Sequence, residues 1–336
     1  MTRLNNAKEA KTLHQSTLLT KPNVVGVGVG FKDIRGDKTD EVCVKVLVKR
    51  KLSPEALLSE ELVPQALDDI RTDVIQVGDL RALQAPTGHW RPAPGGVSIG
   101  HYGITAGTLG CVVRDKDTGE RLILSNNHVM ANSNDADIGD AILQPGPTDG
   151  GKVSTDTIAT LLRFIPIQYT TSPGTCDYAS IFASLGNLIA VILGSSHRLN
   201  VSSISPLAIN KVDAALARPN IDSEVLDEIL NIGEISGVLD AELGMPVRKS
   251  GRTTGFTTDQ VQVLDTTVNV SYGAGRTATF EEQIVAGPMS QGGDSGSLVV
   301  HGNSRDAVGL LFAGSEQSTI LSPIQTVLDS LNVTFS

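Results

Sequence analysis

MSQGGDSGSLVV, residues 289–300, is the stretch on which the fold turns. At its centre Gly292-Gly293-Asp294-Ser295-Gly296-Ser297 sets a serine among glycines and then runs straight into an apolar strand. A nucleophilic serine needs an exposed hydroxyl on a tight turn. It also needs backbone N–H groups aimed where charge develops in a tetrahedral intermediate. Glycines at 292, 293 and 296 permit such a turn and keep side chains out of the approach. The N–H groups of Gly293 and Ser295 are then the natural oxyanion donors. Gly/Ser/Asp runs also make ordinary loops, so the reading depends on what else the chain supplies.

Upstream, Leu122-Ile123-Leu124-Ser125-Asn126-Asn127-His128-Val129 carries an apolar strand directly into a histidine. It follows the strand-like GTLGCVV at 107–113 by a hairpin. The other histidines, 14, 89, 101, 197 and 301, lie in the lead-in, a Pro/Gly-rich segment, an insert or loops. Between these landmarks, short apolar runs recur with turn residues between them, the pattern of an all-β barrel or sandwich. Two segments offer an aspartate ahead of a strand-like or apolar run: Lys211-Val212-Asp213-Ala214-Ala215-Leu216-Ala217, and Cys176-Asp177-Tyr178-Ala179.

GTLGCVV, LSNNHV and GGDSGS, in that order, resemble the trypsin-like serine protease superfamily, and residues 248–255, RKSGRTTG, are similar to the RSGSTTG strand-turn of its small bacterial members. The resemblance covers residues 107–330. It is nearest to a cytoplasmic bacterial and plant subgroup that carries an additional N-terminal domain. It implies a mainly β, chymotrypsin-like double β-barrel preceded by a small α+β domain. The implied activity is that of a serine endopeptidase: Ser295 as nucleophile, His128 as its base, and Gly293 and Ser295 N–H groups as oxyanion hole. Asp213 is favoured over Asp177 as the acid that orients His128, because VDAALA returns directly to a strand whereas Asp177 leads into a helical pattern. GDSGG is GDSGS here, tolerable if Ser297 keeps a negative φ. Relatives activated by cleavage pair the aspartate before the nucleophile with a new N-terminus, so Asp294 must be satisfied otherwise. The position that carries an acid in relatives cutting after Lys or Arg is Met289. With Leu310, Leu311 and Phe312 of the wall strand, it predicts a substrate-binding surface for small or medium apolar side chains. A catalytically silent binding module and a serine esterase are the alternatives.

The expected organisation is an α+β domain over 1–84, a Pro/Gly-rich linker over 85–106, and a protease domain over 107–336 with a helical insert at about 178–210. In the first domain, residues 1–20 read as a polar helix or frayed lead-in. Two strands flank a charged turn, Ser53-Pro54 opens a short helix to about Glu61, and a strand covers 72–77. This domain or the insert is a candidate for self-association.

A net charge of −10 repels phosphate backbones, and an aromatic content of 4% leaves little for base stacking. Nucleic acid is therefore excluded as a partner, and a protein or peptide substrate is expected. Residues 1–80 are charge-balanced, so the imbalance lies in the rest of the chain. Cys43, Cys111 and Cys176 have neither disulfide-framework nor zinc spacing. No metal or organic cofactor is expected. The polar N-terminus lacks an apolar leader, and no stretch has the length of a membrane span, which predicts a cytoplasmic protein.

Overall fold

The strand after the serine turn begins Leu298-Val299-Val300, apolar at every position, and such a run marks a strand covered on both faces. In the computed structural model Leu298 and Val300 face one core and Val299 another. The structure describes residues 2–34, 37–59, 61–78, 84–174, 176–205 and 208–335. They fall into two units, Met1–Gln84 and Ala85–Ser336.

The larger unit is built from two rings of strands. In the first, Ser98–His101, Ala141–Leu143, Thr157–Phe164, Ala215–Pro219 and Arg121–Ser125 pair in succession, all antiparallel. Gly107–Thr108 pairs with Ser98–His101, and Cys111–Asp115, next along the same segment, pairs with Arg121–Ser125, which closes the ring. In the second, Pro246–Gly251, Gly255–Ser271, Thr277–Ala286, Thr319–Pro323, Asp306–Gly314 and Leu298–His301 pair in succession, and the last returns to the first. Closure removes free sheet edges. This is the chymotrypsin-like double β-barrel expected from the sequence, in a mainly β chain with a small α+β unit ahead of it.

Alternation along the strands lets one strand serve two cores. Val112 and Ile123 turn inward to Ile99, Ile142 and Ile158 of the first barrel. Their neighbours Cys111, Val113, Leu122 and Leu124 turn outward and meet Leu298, Val300 and Leu310 of the second. The helix Ile324–Leu331 closes this middle layer with Ile324, Val327, Leu328 and Leu331, an i, i+3, i+4, i+7 stripe. Each buried leucine here is worth about 2–5 kcal/mol against alanine. The barrels are therefore welded together, and the cleft between them has rigid walls.

In the smaller unit the helix Arg3–Leu19 is joined by a four-stranded sheet, ordered Val24–Ile34, Asp37–Val48, Ile70–Gln76, Ala66–Leu67. Ala10 and Leu18 pack there on Val44, Val46 and Val48. The helix expected from Ser53 to Glu61 is only a 3₁₀ turn, Pro54–Ala56, and Ser53 makes no side-chain cap. Without a cap or an apolar stripe, nothing extends it.

Residues 85–106 are not a linker. Ala93–Gly95 and Ser98–His101 are strands, and Ala93, Val97 and Ile99 are fully buried. Pro and Gly serve there as tight turns within the first barrel rather than as a flexible tether. The insert begins as the helix Asp177–Ile192, above a short pairing of Thr171–Pro173 with Ser202–Ile204. Phe182, Leu185, Ile192 and Leu193 are exposed along it. Among the described residues, no helix is long and apolar enough to cross a membrane.

Candidate active site

Strand Arg121–Ser125 delivers His128 onto the one-turn helix Asn127–Met130. The side-chain amide of Asn126 donates to the Asp213 carbonyl at 2.7 Å and ties this corner to the segment that leads into the strand Ala215–Pro219. His128 Nδ1 lies 2.6 Å from Asp213 Oδ2, and the His128 backbone N–H donates to Oδ1 at 3.2 Å. A carboxylate only accepts, so Nδ1–H is the donor of this bond. Asp213 is wholly buried. The Tyr272 hydroxyl also donates to Oδ2, at 2.8 Å.

His128 and Ser295 line one cavity of about 960 Å³, together with Ile104, Tyr272, Leu311 and Phe312. The Ser295 hydroxyl donates to the Phe312 carbonyl at 3.4 Å. Among the described residues it makes no hydrogen bond to His128. Such bonds commonly form or shorten only when substrate fills the cleft.

Gly293 and Gly296 have φ of +97° and +95°. A Cβ at Gly296 would sit 2.2 Å from Ser125 Oγ, so only glycine fits. Ser297, the departure from the family pattern, is not among the residues with positive φ. The peptide carbonyls of this turn are held from behind. Thr253 Oγ1 donates to Gly292 O at 2.8 Å, and Ser297 Oγ donates to Asp294 O at 2.6 Å. In a planar trans peptide the C=O and the following N–H point in opposite directions. Holding those two carbonyls therefore aims the N–H groups of Gly293 and Ser295 the other way. Among the described residues neither N–H has an acceptor. Thr253→Val frees the Gly292 carbonyl. If the chain works as a serine hydrolase, this should slow acylation by about fivefold, the worth of one hydrogen bond, with KM nearly unchanged in steady-state kinetics.

Asp294 is satisfied from within the chain. Its Oδ1 accepts the N–H groups of Thr253 at 2.8 Å and Thr254 at 3.1 Å. Its Oδ2 accepts Thr254 Oγ1 at 2.7 Å and the Gln291 N–H at 3.0 Å. Lys249 Nζ stands 3.4 Å from Oδ2, both side chains being fully buried. The same ammonium donates to Thr254 Oγ1 and to the Gly255 carbonyl. Burial outweighs the attraction of Asp294 and lowers the Lys249 ammonium below the ordinary lysine range.

Beside this turn, against Gly293, Arg252 grips Asp149 through two bonds, 2.8 and 2.6 Å, and Asp149 also accepts Ser98 Oγ at 2.5 Å. Burial pushes the Asp149 carboxyl up, but Arg252 and Ser98 outweigh it and hold it below its ordinary value. A carboxyl depressed in the folded state stabilises above its unfolded pKa, and that contribution is lost as pH falls through the folded value. The melting temperature of the native protein should accordingly exceed that of Asp149→Asn at neutral pH. The gap should close on acidification, as calorimetry across an acid series would record.

Asn132, Ser133 and Asn134, next to His128, all have positive φ, at 47°, 56° and 76°. Asn tolerates this region and Ser does so at a cost. Asn127 and Asn134 lock the segment: Asn127 Nδ2 donates to Asn134 Oδ1 and to the Ile165 carbonyl, both at 2.8 Å.

Of the residues singled out in the sequence, Ser295, His128, Leu311 and Phe312 line the cleft, Asp213 is bonded to His128 behind it, and Gly293 belongs to the turn that carries Ser295. Asp177 instead begins the insert helix and is exposed. Met289 and Leu310 do not line the cleft. Met289 packs on Met245 and Val308 inside the second barrel, and Leu310 lies between the barrels. Strand alternation turns Leu310 away from the face its neighbours present. Sequence reasoning missed Lys249, Thr253 and Tyr272. Only Lys249 left a signal, a charge within a strand pattern just before a glycine turn.

The fold is thus a chymotrypsin-like double β-barrel, with Ser295 and His128 lining its cleft and the buried Asp213 bonded behind His128. Among solved structures, the chain is similar to a Nocardiopsis protease, at 18% identity and a TM-score of 0.46, over 72% of this chain and 99% of that one. It is also similar to a glutamic-acid-specific serine protease that uses a histidine triad in substrate binding, at 20% identity and 0.45, over 73% and 100%. A Cellulomonas bogoriensis chymotrypsin matches at 16% and 0.43, over 72% and 97%. No family model and no curated protein matches the sequence.

Proposed function

We propose that the protein is a serine endopeptidase acting through an acyl-enzyme. The observation that carries this is the Asp213–His128 contact at 2.6 Å beside a serine turn whose Gly293 and Ser295 N–H groups are unpaired among the described residues. Ser295 Oγ leaves the Phe312 carbonyl and gives its proton to His128 Nε2 as it attacks the scissile carbonyl. The resulting oxyanion takes hydrogen bonds from the two N–H groups. His128 then passes the proton to the leaving amine, and water repeats the sequence on the ester. Asp213 holds the tautomer and stabilises the imidazolium without taking the proton itself.

The Ser295 hydroxyl resting on the Phe312 carbonyl favours a second reading, a silent binding module, and Ser295 labelling separates the two. Inactivation by a fluorophosphonate with mass added at Ser295 is the outcome expected of the enzyme. A folded protein that stays unlabelled under all conditions would favour the module.

For the residue before the scissile bond the proposal is a small or medium apolar side chain. Ser290, Leu311, Phe312 and Ala313 form the wall beside Ser295. Glu316, the one carboxylate among the described lining residues, is exposed. Cleavage of a fluorogenic peptide library should peak at Ala, Val or Leu, and a profile dominated by Arg or Lys would overturn this preference. The proposal includes a cytoplasmic setting, in keeping with three cysteines that are all free thiols. Recovery of the protein in a secreted fraction would contradict it.

A further inference from the structure

The strands Gly255–Ser271 and Thr277–Ala286 form a long hairpin whose tip, residues 272–276, reaches the acid–base pair. Tyr272 leads that tip. Its hydroxyl donates at 2.8 Å to Asp213 Oδ2, the same oxygen that faces His128 Nδ1. Its ring stands edge-on to His128, with centroids 5.8 Å apart at 70°, and edge-on to Tyr169 at 5.9 Å.

The tip cannot easily swing away. Arg276 makes two bonds to Asp135, at 2.8 and 3.1 Å, and its guanidinium lies over the Tyr169 ring, 5.3 Å from the centroid. The Tyr169 hydroxyl in turn donates to the Ser133 carbonyl at 2.8 Å. The titratable and charged groups facing this cluster are thus Asp213 and His128 on one side of Tyr272, Tyr169 on the other, and Arg276 with Asp135 at the tip. Burial first, and then the Asp213 carboxylate, push the Tyr272 phenol well above its ordinary range. It therefore keeps its proton and remains a donor.

We propose that Tyr272 is a positioning residue: the second barrel's hairpin reaches across the cleft and fixes an Asp213–His128 pair that the first barrel alone supplies. Held otherwise, among the described residues, only by the long 3.2 Å bond from the His128 N–H to Oδ1, the carboxylate retains freedom about its last torsion, and each rotation moves the imidazole. A phenol hydrogen bond removes that freedom and takes up part of the carboxylate's charge. The kinetic consequence rests on the endopeptidase reading, whereas the geometric one does not.

Tyr272→Phe keeps the ring and removes one oxygen. In the full chain, proton NMR of the His128 Nδ1–H, assigned by its loss in His128→Gln, reads the pair directly. The resonance should shift and exchange faster with water in the variant. Phosphonylation of Ser295 should slow by about tenfold, the worth of one hydrogen bond to a charged group. The acid limb of its pH profile should move to higher pH, since the unshared carboxylate holds the imidazolium more tightly. KM for a peptide substrate should change little. Should Tyr272→Phe fail to fold, Arg276→Gln loosens the tip while leaving the hydroxyl, and should produce the same NMR changes in smaller degree. A Nδ1–H resonance with native position and exchange rate in the folded variant overturns the proposal. If the native protein resists phosphonylation while the resonance still responds to Tyr272→Phe, the endopeptidase reading fails and the positioning role stands.

Discussion

Ser295→Ala is expected to lower peptide turnover by about 10⁴-fold or more and leave the melting temperature within a degree or so of native. The two halves of this expectation have different sources. The Ser295 hydroxyl makes one long bond, 3.4 Å to the Phe312 carbonyl, so its loss costs little folding energy. The turn that carries it is held by other atoms: Thr108 Oγ1 on the Gly293 carbonyl at 2.9 Å, Thr253 on Gly292 and Ser297 on Asp294. The N–H donors survive the substitution, so a residue of catalysis from the oxyanion hole should remain. His128→Ala should cost a similar factor, and the double variant little more than either single one, because nucleophile and base act as a unit. Stopped-assay kinetics on the three variants, alongside thermal melts, would check this. Independent, multiplying losses would contradict the assignment.

Lys249→Met should have the largest effect on stability. The ammonium and the Asp294 carboxylate are both fully buried. Removing one member of a buried pair leaves the other uncompensated, at a cost of about 3–5 kcal/mol. In a unit of this size that corresponds to a fall of about 10 °C in melting temperature. The four neutral donors that remain on Asp294 soften the loss without supplying a counter-charge. Activity should fall further than the fraction unfolded explains, since Asp294 precedes Ser295 and its carbonyl belongs to the peptide that aims the Ser295 N–H. A variant that melts and labels like the native protein would mean that Lys249 only fills space.

Much of this could be read from the chain because its signals are local. A glycine-bounded serine and a strand that ends in histidine each constrain their own backbone, and VDAALA announces its return to a sheet. The apolar runs gave the barrels, since strands buried on both faces leave an unbroken apolar trace. What stayed illegible depends on contacts distant in sequence. Residues 85–106 look like a tether because Pro and Gly dominate them, yet those residues make the turns of a barrel wall. Met289 lies six residues before Ser295, and its orientation follows from the second barrel's interior rather than from that spacing. Tyr272 carries no local mark of its role: it reaches Asp213 only because a long hairpin folds back over the first barrel.

We propose Ser295, His128 and Asp213 as a working nucleophile, base and acid. Intact-mass analysis with peptide mapping after fluorophosphonate treatment tests this most directly, with Ser295→Ala as control. One equivalent of label should appear, located on Ser295, formed more slowly in Asp213→Asn and absent from Ser295→Ala. A folded native protein that takes no label, or takes it at another residue, would contradict it.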